Sequence, residues 1–131
     1  MKIFHKILLV SFISFSLFSC SKDDIDENEL LYGVWDNVKF DGDKELTLRL
    51  FFGPDNTGGR IRSTEDAEGV VSSSESFEWS LQNDQIEITD SYTNSKEEYY
   101  INSFGKLVSK ATADLVLDKV SDDYSRYYDG K

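Results

Sequence analysis

Apolar and polar residues alternate along most of this chain. Leu46, Leu48, Leu50 and Phe52 share one face of an extended segment, with Thr47 and Arg49 opposite. Phe77, Trp79 and Leu81 repeat the pattern against Glu78, Ser80 and Gln82, and Ile86 and Ile88 continue it against Gln85, Glu87 and Thr89. Leu115 and Leu117 alternate with Asp114 and Asp118, while Val116 and Val120 make that strand apolar on both faces in part. A period of two with one polar face predicts half-buried antiparallel strands. Turn-forming residues separate them: Asp41, Gly42 and Asp43 after the first, residues 53–59 (GPDNTGG) after the second, and Asn83 with Asp84 as a tight hairpin before Ile86. Asn94 and Ser95 join the next pair, and Gly105 with Lys106 follows the strand carrying Tyr99 and Ile101. Residues 65–76 (EDAEGVVSSSES) are the least patterned, so a mobile loop is expected around residues 65–69. No long helix is predicted in the body of the chain. Seven or eight strands at short, regular intervals predict an all-β domain, an antiparallel meander that closes into a small barrel or folds as a sandwich.

The first twenty residues break this pattern. Lys2 and Lys6 precede an apolar block, residues 7–18, interrupted only by Ser11, Ser14 and Ser16. The block is too short and too rich in serine for a membrane span and reads as a cleaved, helical signal peptide. Leu17, Phe18, Ser19 and Cys20 resemble the lipobox of bacterial lipoproteins. That resemblance implies cleavage before Cys20, whose sulfur becomes thioether-linked to a lipid carrying palmitate-type chains and ties the protein to a membrane. Ser21, Lys22, Asp23 and Asp24 resemble the export signal of Bacteroidetes-type lipoproteins, which implies a place on the outer membrane, exposed at the cell surface. Residues 21–29 (SKDDIDENE) equally read as a solvated acidic tether. The expected organisation is a signal peptide (1–19), a lipidated tether (20–29), a β-domain (30–120) and a C-terminal tail (121–131).

Composition then removes chemistry. The 131-residue chain has one His, His5, and one Cys, Cys20. Without the leader no histidine and no free thiol remain, which excludes Ser-His-Asp and Cys-His nucleophiles, zinc sites built on His or Cys, and disulfides. The formal charge of −11 becomes more negative once Lys2 and Lys6 are lost, so neither nucleic acid nor anionic headgroups are expected partners. Asp36, Asp41 and Asp43 lack the spacing of an EF-hand loop, and no metal or other cofactor is expected. Paired carboxylates are the only acid–base chemistry left, and the chain is not expected to be an enzyme.

Gly33 and Trp35 open the first strand; residues 52–58 (FGPDNTG) form an Asp-Asn-Thr-Gly turn; residues 77–81 (FEWSL) and 84–88 (DQIEI) give an aromatic strand, a tight turn and an Ile-x-Ile strand. In order and spacing these pieces resemble lipocalins and the small lipocalin-like domains of Bacteroidetes lipoproteins, over roughly residues 30–120. The resemblance implies a barrel in which a cation from the last strand packs over Trp35; Lys119 is best placed for this and Arg126 is a second candidate. Read from the residues alone, Gly33 and Trp35 close one barrel end, the glycine letting a neighbouring backbone approach the indole.

The inward set is bulky enough to fill a small barrel completely. A pocket, where one exists, is expected at the open end, lined by Phe77, Trp79, Tyr99 and Ile101. Tyr124, Tyr127 and Tyr128 fall at helical spacing, suited to a short terminal turn packed on the barrel or, with Tyr99 and Tyr100, to an aromatic surface. Three readings follow. The first is a lipid-anchored domain of the cell envelope that binds a small apolar or amphipathic ligand. The second is a packed barrel that serves as an interaction module for another envelope protein. The third, a carboxylate-based hydrolase, needs two acidic residues converging in a cleft.

Overall fold

The computed structural model of the protein describes residues 27–128. The leader, Cys20 and the tetrapeptide Ser21, Lys22, Asp23, Asp24 lie outside the described residues. A single helical turn, α1 (Glu27–Leu31), leads into eight strands: β1 (Gly33–Asp41), β2 (Lys44–Gly53), β3 (Thr57–Asp66), β4 (Gly69–Gln82), β5 (Gln85–Asp90), β6 (Lys96–Ile101), β7 (Leu107–Ser109) and β8 (Val116–Ser121). Each strand pairs antiparallel with the next, and β8 returns to β1, so the meander closes as a barrel. A 3-10 turn, Ser125–Tyr127, follows the last strand.

Short turns hold this order. Asn83 and Asp84 adopt φ of 51° and 66°, the left-handed pair whose twist matches the strands on either side. Between β6 and β7, Asn102 Oδ1 accepts the N–H groups of Phe104 and Lys106 at 2.9 and 3.0 Å, so one side chain sets the loop. The loop expected around residues 65–69 is only a two-residue turn, Ala67 and Glu68. Residues 65–76 form the end of β3, that turn and the first half of β4, paired without interruption from Asp66↔Gly69 to Thr57↔Glu78. Their apolar alternation is missing because this part of β4 is exposed on both faces, while it keeps its register against β3 throughout.

The ladders show what faces inward, since directly opposed residues share a face. Trp35 opposes Leu50, Leu50 opposes Arg60, and Arg60 opposes Glu75. Phe52, Gly58 and Phe77 form the next row; Leu81, Ile86 and Tyr99 form another. Leu31, Trp35, Leu50, Phe52, Phe77, Trp79, Ile86, Ile88, Tyr99, Leu107 and Leu117 make one buried cluster, each no more than 3% exposed.

One end of the barrel is sealed by the chain before β1. Leu31 is fully buried in the core, and its carbonyl accepts the Trp35 indole N–H at 3.0 Å. Lys119 Nζ sits 5.6 Å from the centre of the Trp35 ring, donates to the Leu30 carbonyl at 3.0 Å and pairs with Asp122 at 2.7 Å. Gly33, at φ +136°, lies so close to the Ser121 carbonyl and the Lys119 stem that a Cβ there would collide with both. Arg126 is placed over Tyr127 at 5.4 Å instead of over Trp35. The packed unit therefore reaches beyond residues 30–120: α1 supplies the cap, and the terminal turn lies on the outer wall.

If α1 is part of the core, Leu31→Ala should lower unfolding free energy by about 2–4 kcal/mol in urea denaturation; a loss under about 1 kcal/mol would show that the cap is dispensable.

Candidate functional site

The expected pocket residues are packing residues. Phe77 and Trp79 meet Phe52 at ring separations of 5.4 and 5.9 Å, and the Trp79 indole N–H donates to the Thr57 carbonyl at 2.9 Å. Trp79 lies toward the α1 end, edge-on to Tyr32 at 6.0 Å. Ile101, at the end of β6, is partly buried against the same cluster. Phe77, Trp79 and Tyr99 are only 2–3% exposed, and of the four only Phe77 borders a concave surface, at the edge of a groove on the outer wall. The placement at the open end expected for these four is thus replaced by a filled interior. The reason is volume: aromatic rings from β2 and β4 meet over Gly58 of β3, where a Cβ would strike the Phe77 ring.

Above this apolar core lies a layer of charge that the alternation of β3 did not announce. Arg60 points inward, its side chain only 6% exposed, and forms ion pairs with Glu97 and, at 3.3 Å, with Glu75. Arg62 reaches the other Glu75 oxygen at 3.2 Å, and the Tyr99 hydroxyl donates to Glu97 at 3.0 Å. A buried guanidinium is tolerable only when its donors are met by acceptors, and here two carboxylates that still reach solvent meet them. Among the described residues no buried side-chain polar atom lacks a partner. Glu75 and Glu97, the carboxylates that do converge, converge on a cation. The layer closes the lumen from the open side.

Beyond it the barrel changes character. Strands β1 to β4 overshoot the short β5 to β8, and their inner face forms a basin of about 290 Å³ lined by Asn37, Lys39, Leu46, Leu48, Arg62 and Leu115. Outside, Phe51 and Ile61 line a groove of about 540 Å³ with Ser74, Ser76, Tyr127 and Tyr128. The C-terminal turn walls this groove: Tyr127 stacks on Phe51 at 4.5 Å and accepts from Arg49 at 3.0 Å, while the Tyr128 hydroxyl donates to the Thr57 carbonyl at 2.9 Å. Asp36 grips Arg49 through both carboxylate oxygens at 2.7 and 2.6 Å, and that pairing holds the guanidinium above its usual pKa. Where β4 and β5 part, a crevice of about 490 Å³ opens between Ser74, Glu75 and Ser76 on one side and Asp90, Ser91, Tyr92 and Thr93 on the other.

No protein-family model, no curated protein and no solved structure matches this chain. Geometry alone therefore carries the assignment of the site. Two concave surfaces, the outer groove and the crevice, share Ser74, Glu75, Ser76 and Ser91 and so flank one stretch of β4. The sequence reading missed Arg60, this stretch and its flanks, and placed Tyr99 as a ligand contact where it braces the charged layer.

Burial, reinforced by the neighbouring Glu97 charge, pushes the Tyr99 phenol from 10.0 up to about 12. Because the folded value is the higher one, Tyr99 stabilises the protein fully below pH 10 and loses that contribution as the pH rises toward 12. Alkaline titration followed by tyrosinate absorbance should show a late-ionising phenol that Tyr99→Phe removes; an unchanged titration curve would contradict the packing described.

Proposed function

We propose that this protein is a lipid-anchored, lipocalin-like module of the cell envelope whose barrel is a filled scaffold and whose binding surface lies outside the lumen, where it engages another envelope protein. One observation carries the reading: the barrel is packed by side chains at most 3% exposed and covered above by the Arg60 layer, while the outer groove and the crevice lie on its outer wall. The lipobox-like residues ending in Cys20 support the anchor, and the acidic residues after it support an outer-membrane location.

The anchor would also set orientation. Six residues separate Cys20 from Glu27, seven Cα steps with a reach of at most roughly 25 Å. The α1 end then faces the bilayer, and the long hairpins of β1–β2 and β3–β4 point away from it.

A second reading has its own observation. Leu46, Leu48 and Leu115 beside Lys39 make the basin both apolar and cationic, which suits a small amphipathic molecule with an anionic head. It requires that Lys39→Glu weaken binding of a fluorescent fatty acid.

Cys20→Ala should abolish incorporation of radiolabelled palmitate and release the protein from the membrane fraction; retention of label would refute the anchor. Native mass spectrometry of the protein purified from its envelope should show the lipidated chain without a stoichiometric small molecule. A co-purifying apolar ligand that survives Lys39→Glu would place binding in the lumen and overturn the scaffold reading.

A further inference from the structure

The stretch of β4 between the two concave surfaces is an unprotected sheet edge. Residues 69–76 pair with β3 on one side, but β5 begins opposite only at Phe77↔Asp90, with one further bond from Ser91 N–H to the Ser76 carbonyl. Since Ser76 directs its carbonyl to the β5 side, the alternation of an antiparallel strand turns the N–H and C=O of Ser74, Ser72 and Val70 to that same open side. Sheet edges are ordinarily blunted by proline, by charge, by bulges or by a covering loop. Here residues 70–76 read VVSSSES, with no proline and no lysine, and the charge of the single ionisable residue, Glu75, is taken up by Arg60 and Arg62. The opposite free stretch, in β1 beyond Asp36, does carry charges, Lys39 and Asp41.

The surroundings state what this edge would accept. Val70 and Val71 are 61% and 76% exposed at one end, and Tyr92 is 97% exposed across the crevice. The charge nearby is negative: Asp90 in the crevice, and Glu65, Asp66 and Glu68 around the turn that begins β4, with Glu45 directly opposite Glu65. Asp90 Oδ1 accepts the N–H groups of Thr93 and Tyr92 at 2.9 and 2.8 Å, which holds its carboxyl below the usual range. Arg60 and Arg62 are already committed to Glu75 and Glu97. Like charges crowded at one place cost stability that an incoming cation would relieve.

We propose that the free edge of β4 is a strand-addition site for a basic, extended segment of a partner protein. The segment lies in the crevice beside residues 70–75, continues the sheet by main-chain hydrogen bonds to Val70, Ser72 and Ser74, and sets apolar side chains against Val71 and Tyr92 and cationic ones toward Asp90 and Glu68. This rests on the interaction-module reading and names the partner's chemistry: an exposed strand alternating apolar residues with lysine or arginine. Acidity argues against a second copy of this chain as the occupant.

The test is fluorescence anisotropy with a labelled eight-residue peptide alternating lysine and valine, titrated with the full chain, its glutamate–valine counterpart serving as control. Saturable binding of the lysine peptide alone is expected. Ser72→Pro and Ser74→Pro each remove an N–H that faces the open side, so β3 pairing survives while affinity falls about tenfold, the worth of one to two main-chain hydrogen bonds. Ser74→Lys, which leaves the backbone intact and opposes the peptide's charge, should weaken binding equally should the proline variants fail to fold. Absence of saturable binding, equal binding of both peptides, or binding untouched in all three variants overturns the proposal. So does dimerisation in sedimentation velocity that Ser72→Pro abolishes, which would make a second copy the occupant. A small molecule in native mass spectra of both wild type and Ser72→Pro would instead refute the module reading itself, whatever the peptide does.

Discussion

Arg60 is the residue on which the rest of this molecule turns. A guanidinium placed inside a small barrel must find acceptors or unfold the site, and Glu75 from β4 and Glu97 from β6 supply them. The pairing ties β3 and β4 to a strand on the far wall, braces Tyr99 through Glu97 and sets a charged layer over the apolar core. Below it the lumen is side chain throughout; above it the strands are free to serve the surface. The charge thus divides the barrel into a half packed with apolar side chains and a half whose strands extend past closure.

That division explains the uneven strands. β1 to β4 run nine to fourteen residues, β5 to β8 three to six. A closed barrel needs only the short lengths, so the excess of β1 to β4 extends past closure as a four-stranded blade with open edges. Its β1 edge carries Lys39 and Asp41, while the one charge on its β4 edge, Glu75, is committed to Arg60 and Arg62. The C-terminal turn works on the same wall: Tyr127 and Tyr128 cover Phe51 and Thr57 and raise one rim of the outer groove.

Much of this architecture could be read from the chain. Leu46, Leu48, Leu50 and Phe52 announced β2 with its inward face, Asn83 and Asp84 announced the hairpin of β4 and β5, and the meander order followed from turns too short for crossovers. Residues 57–66 gave the opposite message. Ile61 is their one large apolar residue, and alternation keyed to it would turn Arg60 outward; the ladder to Leu50 turns Arg60 in and Ile61 out toward the groove. Pairwise ion matching across 15 and 37 residues of sequence leaves no local signal. The serines of β4 hid a strand for a related reason: with neither face buried, period two has nothing to mark. Phe77, Trp79, Tyr99 and Ile101 were legible as inward residues, but whether inward means packed or lining depends on the bore of the barrel, which no single strand encodes.

The central claim is that the lumen is solid and closed at both ends. The chain's two tryptophans, Trp35 near the α1 cap and Trp79 beside Phe52, report on it directly, both only 2–3% exposed. Acrylamide quenching of their fluorescence in the native protein should be weak and follow a single, buried population, becoming strong only on unfolding. A tryptophan quenched in the folded state as readily as free indole would mean that solvent enters the barrel, and the account of a filled scaffold would be wrong.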